Sequence, residues 1–118
     1  MSSSEITPEK YRHDLEVVRN TGAQVIKDFG MFGVDISFSG NPETAYRELL
    51  HQTEPALAKL YNDNRTSFMA LLYRIDVSEK KVNELIGIEK KPAFFAKLAE
   101  VVVEREFMKV LIRKLFSA

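Results

Sequence analysis

Apolar residues recur along most of this chain at helical spacing, and one stretch departs from that rhythm. Tyr11, Leu15, Val18, Gly22, Val25 and Phe29 alternate at intervals of four and three, which predicts a helix presenting a narrow seam to a neighbour. Thr7 and Pro8 mark its start: an oxygen to cap free N–H groups, then a residue preset for the first turn, with Glu9 favoured there by the helix dipole. Gly22 lies in the seam, where a missing side chain allows close approach at a cost of about 1 kcal/mol relative to alanine. Gly30 is read as the C-cap.

The rhythm then changes to two. Phe32, Val34, Ile36 and Phe38 alternate with Gly33, Asp35, Ser37 and Ser39, which predicts an extended segment with one apolar face over about 31–39. Nothing else in the chain alternates in this way, and a lone strand is unstable in water. The segment is therefore either an arm laid across helices or one half of a pairing with a second copy of the chain.

Helical spacing resumes after Asn41-Pro42, a second start signal. Tyr46, Leu49, Leu50, Thr53, Leu57 and Leu60 share one face, and Pro55 predicts a kink or a restart near Thr53. Asn62-Asp63-Asn64 is turn chemistry that can cap a third helix over about 65–75, burying Phe68, Leu71, Leu72 and Ile75. Ser78 caps a short fourth helix, Val77 and Val82 are placed as a hydrophobic staple, and Gly87 ends it. Pro92 opens the last helix, which runs to Phe116.

That last helix is apolar on two opposite sides. At about 100° per residue from Phe94, the residues Leu98, Val101, Met108, Ile112, Leu115 and Phe116 form one stripe. Ala96, Ala99, Val103, Phe107 and Val110 form the other. Apolar character all round implies burial all round, so the helix is either central in the bundle or carries a partner on its back.

Composition narrows the chemistry. Seventeen basic residues balance seventeen acidic ones, which removes any broad attraction for nucleic acid or an anionic membrane surface. The absence of cysteine excludes thiol chemistry and disulfides and fits a reducing compartment. Met1 to Ile6 reads as a flexible leader without the apolar run of a signal peptide, and no stretch approaches the roughly eighteen apolar residues of a membrane span. A soluble cytoplasmic protein is expected.

Candidate sites are few. Glu48 and His51 match a metal-binding Glu-x-x-His spacing, but both point away from the apolar face of their helix, whereas such metals sit inside a bundle. Tyr11, His13 and Asp14 suggest acid–base work, yet His13 lies outside the seam and no nucleophile motif accompanies it. Lys80-Lys81 and Lys90-Lys91 flank a helix–turn–helix spacing whose second helix begins Ala93-Phe94-Phe95, where a DNA reader needs polar side chains. Arg105 falls inside the first stripe of the last helix, where an unpaired cation is costly. It is read as a long stem reaching the edge, as a buried ion pair with Asp76 or Asp14, or as the lining of a ligand cleft.

The run Ala70-Leu71-Leu72-Tyr73-Arg74-Ile75-Asp76-Val77-Ser78-Glu79, with Phe38-Ser39-Gly40 and Glu43-Thr44-Ala45 upstream, resembles a group of short helical proteins from bacteria of the Bacteroidetes type. The likeness spans about the C-terminal two thirds of the chain. It implies a bacterial cytoplasmic protein, and it implies no activity and no residue role.

The resulting expectation is an all-α bundle of four to five helices over residues 1–118, one domain with a single extended segment. The first functional expectation is a non-enzymatic interaction protein, a homodimer joined through Val103, Phe107 and Val110 and assisted by Phe32 and Ile36. The alternative is a small-ligand module with an inter-helix pocket near Arg105, Asp76 and Tyr73. No catalytic residue, cofactor or metal ligand is assigned.

Overall fold

The computed structural model describes residues 8–88, 90 and 93–116. The leader at 1–6, the Thr7 cap and the Pro92 start signal lie outside the described residues. Among the described residues a short 3-10 helix, Pro8–Tyr11, precedes five α-helices: α1 Leu15–Gly30, α2 Ala45–Asp63, α3 Arg65–Ile75, α4 Glu79–Ile88 and α5 Ala93–Phe116. The all-α bundle expected from the spacing is the observed fold.

α5 is the central element, packed chiefly against α2 and α1, with α3 and α4 completing the wrap. Its buried residues are Phe94, Phe95, Leu98, Ala99, Val102, Val103, Phe107, Val110 and Leu111, with Glu106 among them. These fall in pairs four residues apart and draw one stripe, whose phase differs from the one set by Phe94, Met108 and Leu115. Ile112, Leu115 and Phe116 are exposed. Aromatic packing closes one end of the bundle, where Tyr61 of α2 meets Phe68, Phe94 and Phe95 edge-on, with centroids 5.1, 6.1 and 5.4 Å away.

α1 begins later than Thr7-Pro8 suggests. Pro8 opens the 3-10 helix, and Asp14 caps α1 by accepting from the Val17 amide at 3.1 Å. Val18, Gly22, Val25 and Phe29 are buried as the seam predicts, whereas Leu15 is exposed. Gly22 serves the close approach read from its position: a methyl there would overlap the ring of Phe38. Gly22→Ala should therefore push Phe38 outward and cost about 1–2 kcal/mol despite the better helix propensity, measured by urea denaturation.

The segment after Gly33 lies as an arm across the helices of its own chain. Ile36 is buried in the core, and Phe32 and Val34 pack half-buried against it. The polar edge is satisfied by α2. The Gln52 carboxamide accepts from the Ser37 amide at 2.9 Å and donates to the Ser37 carbonyl at 2.7 Å. Glu48 accepts from the Ser39 amide and hydroxyl at 2.9 and 2.6 Å. A side-chain amide thus supplies the donor and acceptor that a neighbouring strand would give.

α2 starts at Ala45 and not at Asn41-Pro42, because the Asn41 carboxamide accepts from the Glu43 amide and closes a local turn. Pro55 sits inside α2 without interrupting it. The proline is exposed, and so is His51, whose carbonyl loses its partner, so water can replace the missing bond. α3 has the bounds read from sequence. Asn64 caps it through the Ser67 amide at 3.0 Å, and Asp76 ends it in the left-handed region at φ 70°. Ser78 caps α4 through the Lys81 amide at 3.1 Å, Val77 and Val82 are both buried, and the helix continues one residue past Gly87.

Candidate functional site

The turn that precedes α1 sends Arg12 back across the bundle. Its Nη2 donates to Glu104 Oε1 of α5 at 2.8 Å, and Tyr46 of α2 donates its hydroxyl to the same oxygen at 2.7 Å. The guanidinium lies 4.5 Å from the Tyr46 ring centroid and 5.0 Å from that of Phe107. Burial alone would lower the Arg12 pKa, but the bonds to Tyr46 and Glu104 outweigh it and raise the value further. Burial, together with the Glu104 carboxylate, raises the Tyr46 pKa and keeps the phenol protonated.

Beside this arginine, between α1, α2 and α5, lies a cleft of about 460 Å³. Val18, Ala45, Leu49, Val103 and Phe107 make an apolar floor. Arg12, His13, Glu43 and Tyr46 stand at its edge, with His13 Nδ1 3.4 Å from Glu43 Oε2. A few polar groups beside an apolar recess of this size are what small-ligand sites have in common. No family model, curated protein or solved structure matches the chain. The resemblance drawn from residues 70–79 has no counterpart among them, and the functional reading rests on this geometry.

Of the residues singled out in the sequence, Val103, Phe107 and His13 border this cleft, and the others lie elsewhere. Val103, Phe107 and Val110 are buried within the chain, which removes the exposed face that argued for a partner there. Ile36 is likewise interior and Phe32 half-buried. Arg105 is exposed and has no ion-pair partner among the described residues. It lines a shallow hollow of about 370 Å³ with Asp76, from which Tyr73 is absent, being 84% exposed on α3. Asp76 lies 3.9 Å from Lys109, and Asp14 is spent as the α1 cap. The phase error in the last helix explains Arg105, since a shift of one residue exchanges it for Glu106.

Glu106 is the acid that the core does hold. It is 0% exposed, facing Asp28 of α1, which is 1% exposed. Asp28 Oδ1 accepts from Arg74 of α3 at 2.8 Å and from Gln24 at 3.0 Å. Were both acids ionised, Asp28 Oδ2 and both Glu106 oxygens would be buried without a donor. Burial, followed by the hydrogen bond to Asp28 and its charge, pushes the Glu106 pKa up to about 9, against the opposing pull of Lys109 and Arg113. Glu106 is thus a neutral acid at pH 7 whose O–H serves Asp28. Burial would raise the Asp28 pKa, but the bonds from Glu106, Arg74 and Gln24 outweigh it and lower the value. A single acid at one place in a four-residue apolar series, Val102, Glu106, Val110, was the available signal for this pair.

Among the described residues no group of three His, Cys, Asp or Glu could hold a metal, and no helix is long and apolar enough to cross a membrane. Glu48 has its carboxylate engaged by Ser39 and Thr44, which hold its pKa low, and His51 faces outward.

Proposed function

We propose that this chain is a small-ligand-binding module whose ligand sits in the cleft between α1, α2 and α5. This moves the site from the Arg105 hollow to the recess lined by Val103 and Phe107 of α5. One observation carries the reading: a recess of about 460 Å³ with an apolar floor is bordered by side chains already fixed by hydrogen bonds and ring contacts. Pre-organised polar groups beside apolar surface lower the cost of ordering a ligand. Val103, Phe107 and Val110 are covered by the chain's own helices, so the second apolar side of the last helix no longer calls for a second copy.

A fragment screen by amide NMR tests the reading. Compounds of roughly drug-fragment size should produce saturable shifts that cluster on Val18, Ala45, Leu49 and Phe107. Shifts scattered over the surface, or gathered at the Arg105 hollow, would reject the cleft.

A further inference from the structure

We infer that the cleft recognises a small cation of the guanidinium or amidinium class bearing an apolar body, and that Arg12 fills its charged subsite in cis. The inference rests on the cleft being a ligand site and names what it takes. Recognition of a planar cation needs a fixed carboxylate and aromatic faces. Glu104, Tyr46 and Phe107 supply these, at 2.8, 4.5 and 5.0 Å from the Arg12 guanidinium. All three belong to α2 and α5, the most extensively packed pair of helices. Tyr46 holds the Glu104 oxygen independently of Arg12, so the acceptor persists when the arginine leaves.

The occupant is attached differently from its site. Arg12 comes from the turn between the 3-10 helix and α1, outside any α-helix. Its contact to the Glu104 carboxylate is through Nη2 alone, monodentate where a guanidinium can make a bidentate pair. Charge decides the class of ligand. Without Arg12, the carboxylates left at this end are Glu43, which lines the cleft beside His13, and Glu104, which the Arg12 head group reaches just outside it. An anion would be repelled from such a rim and a cation drawn to it. Val18, Leu49 and Val103 then offer apolar surface to a ring or short alkyl body.

The test uses the full chain, labelled with ¹⁵N, titrated with benzamidinium and with its neutral analogue benzamide. Arg12→Ala should bind benzamidinium at least about ten-fold more tightly than the parent does and than it binds benzamide, because the tethered competitor has been removed. Adding Glu104→Gln should erase that preference. Equal binding of the two compounds by Arg12→Ala overturns the cation subsite and leaves the apolar cleft standing. No binding of either compound to either protein overturns both. Should Arg12→Ala fail to fold, the parent alone decides. Saturating benzamidinium should shift the Arg12 Nε–H resonance as the side chain is displaced from Glu104, and an unmoved resonance rejects the inference.

Discussion

The unfolding free energy of this protein should fall by about 1.4 kcal/mol per pH unit between about pH 5 and 9. Glu106 carries its proton up to about 9 in the folded chain, while an unfolded glutamate releases it near its ordinary value. Across that interval the folded state binds the extra proton, so raising pH favours unfolding. Asp28 has the opposite sign: its pKa is lowered on folding, so its contribution is present above its unfolded value and is lost as pH falls through its folded one. Stability should peak in mildly acidic solution. Glu106→Gln keeps a neutral donor facing Asp28 and removes the titration. Chemical denaturation should give a variant close to the parent near pH 5 and more stable by several kcal/mol at pH 8, with the slope gone. A parent profile flat from pH 5 to 9 would show that Glu106 is ionised in the core.

Removing the cation that faces Asp28 should be the second large effect. Arg74→Met leaves a carboxylate that is 1% exposed without its counter-ion. Breaking a fully buried pair costs about 3–5 kcal/mol, and here about 2–3 is expected because 35% of the Arg74 side chain remains in water. The penalty should shrink in acid, as Asp28 takes up a proton of its own. Arg105→Met is the contrast. It alters the arginine that the periodicity of α5 places in the core, but the side chain is exposed, and a change within about 0.5 kcal/mol is expected. Equal losses in the two variants would remove the special role of the Asp28–Arg74 pair.

These two arginines show how far the sequence could be read. α3 was legible because its ends carry their own chemistry, an Asn64 cap and an Asp76 stop, and because its apolar positions lie on one side. The arm was legible as extended from its period of two, but its partner was not. Gln52 and Glu48 look like solvated residues in the sequence, and only the fold brings them to Ser37 and Ser39. In α5 the abundance of apolar residues left the rotational phase undetermined. The phase set by Phe94 and Leu115 put Arg105 inside and Glu106 at the edge, and tertiary packing chose the reverse. The cleft could not be read at all. Arg12, Tyr46 and Glu104 lie in three separate stretches of chain, and no local pattern connects them.

The arm's dependence on α2 has a dynamic corollary. Ser37 and Ser39 are tied to Gln52 and Glu48, while Ala45, Tyr46 and Leu49 of the same helix wall the cleft. Fraying at the start of α2 would release the arm and loosen the recess in one event, so the two form a single cooperative opening unit. A molecule seated in the recess would oppose that event, and its presence would register some distance away as slower solvent exchange at the two serine amides.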